Sequence, residues 1–356
     1  SREGPRLSEE DMLEGSGELK ENEITSAIRT MQNNKSPGID GLPVEFYKVF
    51  WLDLKESFMK AIAHAAESEI LTISQRQGMI TLIPKKLKDT SLIKNWRPLS
   101  LLNVDYKIIA KCIANRIKAK ISKIIHKDQT GCVPGRYIGE NIVRVLDIIE
   151  YTEVNNIPAL LISVDFEKAF DHADWSFILK CLQHYNFSID IIKWIKILYR
   201  DCNTCVTNNG WSTDFFNPSR GVRQGCPLSP YLFTIMVEPL ATFIRLNKKI
   251  KGIQIGNVIH KISQFADDTA MPIKFDRESL LEVENTFIKF QNISGLKVNY
   301  DKTEILRIGS LRGSDAKLIT ARQMCWTNDP ITLLGVQLST NMADTLRLNF
   351  ENLKTK

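Results

Sequence analysis

Three aspartates in two separate stretches have the chemistry that a divalent metal ion requires. Asp267 and Asp268 follow the short β-type run 263–266, and Asp165 ends the apolar run 159–164. Adjacent acids also fit an ordinary hairpin turn, where an aspartate side chain bonds the local backbone. Carboxylates presented side by side at strand ends can instead hold hard divalent cations. The sequence therefore leaves two interpretations of this stretch open, a turn and a metal site.

Basic charge is concentrated in one part of the chain. The 356 residues are 43% hydrophobic and carry a formal net charge of +6, which is typical of a globular protein with a large core or several subdomains. Residues 85–123 hold eleven Lys or Arg against two Asp, whereas the first 24 residues hold eight acids and three bases. The basic block predicts a surface for a phosphate backbone, although an ordinary solvated helix face has the same composition.

The cysteines and the apolar runs indicate which cellular compartment the protein occupies and whether it associates with membranes. Seven cysteines without the spacing of a disulfide framework predict free thiols in a reducing compartment. Cys202 and Cys205 form the one close pair, and without a second Cys/His pair we interpret it as loop packing rather than a zinc site. No apolar run reaches the roughly 18–20 residues of a membrane span, and the first residues lack a signal-peptide pattern. We therefore expect no membrane partner.

Strands and helices alternate around the three aspartates. Periodicity predicts helices near 22–33, 44–66, 104–125, 139–154, 174–184, 189–200, 228–246 and 278–293. Strands are predicted near 79–86, 95–101 and 159–165, with hairpins at 206–216 and 258–275 and a last strand pair near 304–308 and 331–338. The two basic segments 79–86 and 95–101 could form a hairpin, and Asn208-Asn209-Gly210 is expected at the turn of the hairpin at 206–216. The helix near 104–125 carries an isoleucine stripe that includes Ile109, Ile113 and Ile117, and Gly295 is a stop signal for the helix near 278–293.

Two stretches carry further expectations. Residues 1–20 are expected to be a loose lead-in. Pro272 falls in the return strand of the aspartate hairpin, where it removes a ladder donor, although proline is normally confined to sheet edges. Whether this strand still pairs decides whether Asp267 and Asp268 stand where metal ions would need them.

Four motifs follow one another along the chain: NWRPLSLL at 95–102, VDFEKAFD at 164–171, RQGCPLSP at 223–230 and FADD at 265–268. In this order they resemble the reverse transcriptases of non-LTR, LINE-type retrotransposons. GLKVN at 295–299 and LLGV at 333–336 extend the resemblance, which covers the chain from about Asn34 to Val336. Each motif alone is weak, but the shared order makes a chance match very unlikely.

The resemblance implies a right-hand polymerase of the α/β (α+β) class, with fingers and a palm. The palm would be an antiparallel sheet flanked by helices. The implied divisions are a lead-in and helix at 1–33, fingers at 34–158, and a palm at 159–340 with fingers residues interleaved near 200–228. Residues 341–356 would be the truncated start of a thumb that is largely missing.

The resemblance also implies two-metal nucleotidyl transfer. A primer 3′-hydroxyl attacks an α-phosphate while two Mg²⁺ or Mn²⁺ ions, about 3.5–4 Å apart, activate the nucleophile and steady the leaving group. Asp165 and Asp267 would be the principal ligands, with Asp268 beside them and the carbonyl of Phe166 completing the shell. Lys302 matches the position that would protonate the leaving pyrophosphate, although a lysine in a polar turn is more often simply solvated.

Other positions match residues that would bind the incoming nucleotide or the nucleic acid. Phe170 matches a steric gate that excludes a ribose 2′-hydroxyl, although core packing is the alternative. Residues that would grip the triphosphate or lie against the sugar and template are Lys85 or Lys86, Arg97, Gln224 and Gly225. Residues expected to contact nucleic acid are Lys107, Lys111, Arg116, Lys118 and Arg136.

The function implied is that of an RNA-directed DNA polymerase that extends a DNA primer on an RNA template with dNTPs, for retrotransposition. One alternative is a catalytically inactive, truncated retroelement remnant that only binds nucleic acid. Another is a related polymerase, such as a group II intron maturase or an RNA-templated RNA polymerase, which Arg97, Phe170 and the context of Cys226 disfavour. Localisation in the nucleus, the cytoplasm or both is expected.

Overall fold

The computed structural model describes residues 4–86, 89–320, 322–327 and 330–354. Its helices are α1 (Glu9–Glu14), α2 (Glu21–Thr30), α3 (Val44–Ser68), α4 (Ile73–Arg76), α5 (Val104–Lys118), α6 (Ile138–Val154), α7 (Ala169–His172), α8 (Trp175–His184), α9 (Ile189–Tyr199), α10 (Ser229–Leu246), α11 (Arg277–Ser294) and α12 (Met342–Lys354). Its strands are β1 (Gln77–Pro84), β2 (Trp96–Leu102), β3 (Ala159–Val164), β4 (Asn203–Asn208), β5 (Trp211–Ser212), β6 (Ile253–Ile255), β7 (Val258–His260), β8 (Ser263–Phe265), β9 (Asp268–Lys274), β10 (Glu304–Ile308), β11 (Cys325–Thr327), β12 (Ile331–Leu333) and β13 (Val336–Leu338). Along these ranges, no helix has the length and apolar character needed to cross a membrane.

The chain forms two compact units. One consists mainly of Ile125–Ile178 and Phe233–Lys356, and we call it the carboxylate unit because it holds the three aspartates. The other consists of Pro5–Ile124 and Leu179–Leu232, and we call it the basic unit. The divisions predicted at 33, 158 and 340 do not coincide with these boundaries, since residues 125–158 join the carboxylate unit. The assignment of fingers, palm and thumb to stretches of the chain stays a prediction, and the outer ends of 1–33 and 341–356 lie outside the described residues.

A five-stranded sheet lies at the centre of the carboxylate unit, in the order β11-β10-β3-β9-β8. Strand β3 is antiparallel to both β9 and β10, as the predicted antiparallel palm requires. Its first four residues are fully buried because its apolar run is covered on both faces. Helix α6 packs Val145, Ile148 and Ile149 into the same cluster as Leu161 and Leu306. Full burial of each such side chain stabilises the fold by about 1.5–3 kcal/mol.

The last predicted strand pair is wrong in its pairing. Strand β10 at 304–308 pairs with β3 and β11, while β12 and β13 form a separate two-stranded sheet with each other. Both runs are apolar enough to be strands, but the choice of partner depends on contacts that the local pattern does not contain.

Pro272 is accommodated within β9 without loss of a bond to β3. The β3–β9 ladder continues through the pair Leu161 and Pro272. The backbone N–H of Lys274 points away from β3, because it donates to the carbonyl of Lys251 at 2.8 Å. Since N–H directions alternate along a strand, position 272 also faces away from β3. Strand β8 does not extend as far as Pro272, because the β8–β9 ladder stops at the pair Ser263 and Ala270.

The basic unit contains a four-stranded sheet in the order β2-β1-β4-β5. Strands β1 and β2 form the predicted antiparallel hairpin of two basic segments. Asn209 and Gly210 form the predicted turn between β4 and β5, both with positive φ. Helix α5 buries the predicted isoleucine stripe completely, including Ile109, Ile113 and Ile117.

The acidic lead-in packs against the basic block where the structure describes it, from residue 4 onwards, so the prediction of a loose segment is wrong for that part. Helix α1 begins at the N-cap Ser8, whose side chain accepts a hydrogen bond from the Asp11 N–H. The Asp11 carboxylate lies 2.6 Å from the Lys123 Nζ and 3.1 Å from the Lys120 Nζ. These ammonium groups hold the pKa of Asp11 well below its usual range. The two oppositely charged stretches of sequence therefore neutralise each other in part.

Candidate active site

Strand register brings the aspartates to one end of the sheet in the carboxylate unit. The β3–β9 ladder ends at the pair Val164 and Thr269, so Asp165 and Asp268 are the next positions in that register. Strands β8 and β9 are joined by the two-residue turn Ala266-Asp267. Ala266 has φ 54, and a positive φ at the first turn residue is typical of tight hairpins. The turn and the metal site, which the sequence left as alternatives, are thus compatible in one structure.

The three carboxylates interact electrostatically. Partial burial, together with the charges of Asp267 and Asp165, raises the pKa of Asp268 to about 6. Burial and the charge of Asp165 also raise the pKa of Asp267, although a hydrogen bond from its own backbone N–H opposes the shift. Like charges in a partly desolvated setting disfavour the ionised state, and a bound cation reverses that balance.

The carboxylate oxygens of Asp165, Asp267 and Asp268 are the kind of ligand that Mg²⁺ or Mn²⁺ has in phosphate-transfer sites. Among the described residues no group of three or more His, Cys, Asp or Glu side chains is arranged as a metal cage. Mg²⁺ in such sites is held by one or two carboxylates, with waters and substrate phosphates as the other ligands. Neighbouring, mutually repelling carboxylates meet that requirement, and the identity of each ligand stays a prediction.

The stretch 299–303 lies beside Asp165. The Asn299 N–H donates to the Asp165 carbonyl at 2.8 Å, and the Asp165 N–H donates to the Thr303 hydroxyl at 3.4 Å. Lys302 is in this turn and its side chain is exposed. The turn therefore brings Lys302 to the same end of β3, while its role as a proton donor stays a prediction.

Two phenylalanines after β3 have different surroundings. The Phe166 ring is buried and packs edge-to-face on Phe287 with ring centroids 6.4 Å apart. Phe170, on α7, is partly exposed and stacks on Phe233 with centroids 4.8 Å apart and planes 8° apart. The arrangement holds the Phe170 ring in a fixed plane and leaves part of it accessible. Sequence patterns do not single out Phe233, and its position just after RQGCPLSP is the one signal that could have found it.

In the basic unit, the predicted nucleotide-binding residues lie on the β1–β2 hairpin and the loop beside it. Arg97 is exposed on β2, opposite Ile83 on β1, and Lys86 is exposed after β1. The Lys85 ammonium donates to the Lys94 carbonyl at 3.0 Å. These positions agree with a role in ligand binding, which stays a prediction.

The loop that carries Gln224 and Gly225 lies against β2. The Ser100 N–H donates to the Gln224 carbonyl at 2.7 Å. Gly225 has φ 107, and a Cβ there would lie 2.6 Å from the Ser100 carbonyl oxygen. Only glycine satisfies both restrictions, so the close approach explains the residue type at position 225.

The five predicted nucleic-acid contacts divide into two groups. Lys118 is exposed, and Lys107 and Lys111 are half-buried. Arg116 instead makes a bidentate pair with Glu23, both contacts at 2.7 Å, and Arg136 donates to three backbone carbonyls. The two guanidinium groups thus have intramolecular roles that the charge pattern did not indicate. Nucleic-acid contact by all five stays a prediction.

Arg116→Met is expected to lower the free energy of unfolding by about 3 kcal/mol, because it leaves the half-buried Glu23 carboxylate without its partner. It also removes the donors to the carbonyls of Gly15, Gly17 and Glu18. Urea denaturation followed by circular dichroism measures the change. Lys118→Met, on the exposed face of the same helix, is the matched control and is expected to change stability by less than about 0.5 kcal/mol. Equal stability of the two variants would contradict the structural role of Arg116.

Comparison with known proteins identifies the class of protein. Residues 83–338 match the family described as "Reverse transcriptase (RNA-dependent DNA polymerase)". The chain belongs to this family. Its fold is similar to that of telomerase from Candida tropicalis, in a structure solved in complex with a TWJ fragment of telomeric RNA, with a TM-score of 0.52 and 15% identity over 84% of this chain and 48% of that one. The predicted polymerase fold is thereby confirmed.

The curated relatives narrow the family to retrotransposon proteins. The chain is 35% identical over 320 residues to the "Transposon TX1 uncharacterized 149 kDa protein" of Xenopus laevis, which covers 89% of this chain and 24% of that protein. It is 26% identical over 269 residues to the "Retrovirus-related Pol polyprotein from type-2 retrotransposable element R2DM" of Drosophila melanogaster, covering 76% of this chain and 24% of that protein. The chain thus spans about a quarter of the length of these relatives, and the predicted resemblance to non-LTR retrotransposon reverse transcriptases is confirmed.

Proposed function

We propose that this chain is the polymerase core of a retrotransposon protein and extends a DNA primer on an RNA template with dNTPs. The observation that carries the proposal is the meeting of Asp165, Asp267 and Asp268 at one end of the β3–β9 ladder, in a chain of the reverse transcriptase family. Carboxylates from two separate motifs are close enough there to interact electrostatically, which supports the binding of divalent cations for phosphoryl chemistry.

The chain's own residues would have separate tasks. Asp165 and Asp267 would hold two Mg²⁺ or Mn²⁺ ions, with Asp268 and the Phe166 carbonyl near them. The ions, when bound, supply Lewis-acid activation of the primer hydroxyl and charge stabilisation of the leaving group. Phe170 would exclude a ribose 2′-hydroxyl, and Lys302 would donate a proton to the leaving pyrophosphate. Arg97 with Lys85 or Lys86 would bind the triphosphate, since positive charge offsets the charge that develops on it.

Nucleic-acid binding by this chain would depend on exposed lysines such as Lys118. Replacing a lysine that binds a phosphate by a neutral residue should reduce the salt dependence of binding, because fewer counterions are then released. The stretch Gln224-Gly225 would lie against the sugar and the template. We also propose that the protein acts in the nucleus, the cytoplasm or both, because free cysteines are typical of reducing compartments.

Primer extension tests the proposal directly. The purified chain is incubated with a DNA primer annealed to an RNA template, dNTPs and either Mg²⁺ or Mn²⁺, and the products are resolved on a denaturing gel. Template-dependent extension is expected with either ion and none after chelation with EDTA. Binding of the primer–template without extension, under both ions, would support the inactive remnant instead.

A further inference from the structure

The loop before α6 bonds the aspartate hairpin through residues 128–130. All of these contacts lie within the carboxylate unit. Strand β8 is the edge strand of the sheet, and the loop adds to its free side in parallel. The Gln264 N–H donates to the Asp128 carbonyl at 2.8 Å, and the Thr130 N–H donates to the Gln264 carbonyl at 2.9 Å. The loop therefore continues the sheet by one short strand-like segment, with Gln129 between the two bonds.

The side chain of Gln129 reaches from this segment to the hairpin turn. Its Oε1 accepts a hydrogen bond from the Ala266 N–H at 2.9 Å, and its Nε2 donates to the Ala266 carbonyl at 3.2 Å. The same Oε1 accepts from the Gly131 N–H at 2.8 Å. One side-chain amide thus binds both backbone groups of the turn residue, as a paired strand would. Gln129 is fully buried, so water does not compete for these bonds.

Ala266 is the residue that needs such support. Its φ of 54 lies in the left-handed region, which a residue with a Cβ adopts only when its surroundings impose it. Ala266 immediately precedes Asp267, so its conformation sets the direction in which the aspartates leave the turn. A hairpin with few ladder bonds, such as the three-residue β8, has little else to fix that conformation.

Two neighbours hold Gln129 in place. A Cβ at Gly131 would lie 2.2 Å from the Ala266 nitrogen and 2.9 Å from the Phe265 carbonyl carbon, so only glycine permits the approach. Arg136 donates to the Gln129 carbonyl at 2.7 Å and also to the carbonyls of His126 and Ile125. The amide of Gln129 is therefore presented to the turn by a loop that is itself tied down.

We propose that Gln129 is a positioning residue for the catalytic aspartates: its side-chain amide holds Ala266 in the left-handed conformation and so fixes Asp267 and Asp268. We call this arrangement of Gln129, Gly131 and Ala266 the Gln129 clamp. The effect on catalysis rests on the proposed polymerase function. The clamp itself can be detected by hydrogen exchange at the Ala266 amide, which does not require enzymatic activity. Small displacements of reacting groups reduce rates steeply, by about 100-fold for 1 Å.

The test compares Gln129→Met, which keeps the size but not the hydrogen bonds, with Gln264→Met. Gln264 is an equally buried glutamine of the same hairpin, and its amide donates to the Thr269 hydroxyl instead of bonding Ala266. In Gln129→Met, we expect the Ala266 amide to exchange its hydrogen at least about tenfold faster and kcat for primer extension to fall about 100-fold. KM for dNTP and the Kd for primer–template should stay within about twofold, because uniform binding is untouched. Adding Ala266→Gly should restore part of kcat, since glycine adopts a positive φ without strain.

The possible outcomes separate the clamp from the polymerase proposal. Unchanged exchange at Ala266, or a kcat equal to that of Gln264→Met, would overturn the positioning role. If Gln129→Met does not fold, the shorter Gln129→Asn takes its place, and failure of both to fold would make Gln129 a general core residue and also overturn the role. A wild-type chain that shows the protected amide but no extension would refute the polymerase proposal and, with it, the catalytic role of the clamp, while leaving the clamp as a structural contact.

Discussion

Asp267→Ala is expected to reduce primer extension by at least about 1,000-fold, because the proposed function makes Asp267 a principal carboxylate ligand of the metal ions that would stabilise the transition state. The same change should not lower the free energy of unfolding. The pKa of Asp267 is raised by burial and by the charge of Asp165, so the ionised carboxylate destabilises the fold at neutral pH. A group with a raised folded-state pKa loses its stabilising contribution as the pH rises through that pKa. Single-turnover extension and thermal denaturation at pH 7 measure the two effects.

Asp315→Ala is the matched control for this prediction. Asp315 is an exposed acid of the same unit and lies outside the β3–β9 ladder. It should leave both the extension rate and the melting temperature close to those of the wild type. Extension by Asp267→Ala at the rate of the control would remove Asp267 from the catalytic set. A fall in its melting temperature would instead contradict the electrostatic repulsion inferred from the raised pKa.

Phe170→Val is expected to let the chain incorporate ribonucleotides. The change removes a ring that stacks on Phe233 and is partly exposed, and so opens space where a 2′-hydroxyl would lie. The ratio of kcat/KM for a dNTP to that for the matching rNTP should fall at least about tenfold, equivalent to about 1.4 kcal/mol of discrimination. Incorporation of single dNTPs and rNTPs on one RNA template gives the ratio.

Phe177→Val provides the comparison for the steric gate. Phe177 is a partly exposed phenylalanine on α8 that packs edge-to-face on Phe290, with centroids 5.7 Å apart. Its replacement should reduce stability without changing sugar discrimination. If Phe170→Val discriminates like the wild type, or if both variants lose discrimination equally, Phe170 is a packing residue and the steric-gate prediction is wrong.

Local sequence patterns predict most of the secondary structure. The isoleucine stripe of α5 has a helical period and is buried as a stripe, because one face of an amphipathic helix must leave water. Gly295 is predicted to end the helix that begins near 278, and it caps α11 with φ 78. Asn209 and Gly210 are predicted to form a hairpin turn, and they do so because both adopt positive φ at low cost.

The acidic lead-in shows where local patterns are insufficient. Residues 1–20 are expected to be loose because they are polar, yet Asp11 is buried beneath Lys120 and Lys123, more than a hundred positions away. Charge composition identifies a stretch rich in basic residues, but not which of their charges are already paired. A salt bridge depends on where two distant segments meet, and that is a property of the fold.

The order of four motifs in the sequence determined the family, and with it the identity of Asp165, Asp267 and Asp268 as candidate ligands. Only the tertiary structure showed that Asp165 and Asp268 occupy the next positions in the β3–β9 register and that the Pro272 nitrogen faces away from β3. It also showed that the side-chain amide of Gln129 bonds Ala266. The order of motifs can be read directly from the sequence. These contacts join residues more than a hundred positions apart. They form only in the folded chain, where burial of the sheet's apolar side chains offsets the entropy cost of closing such long loops.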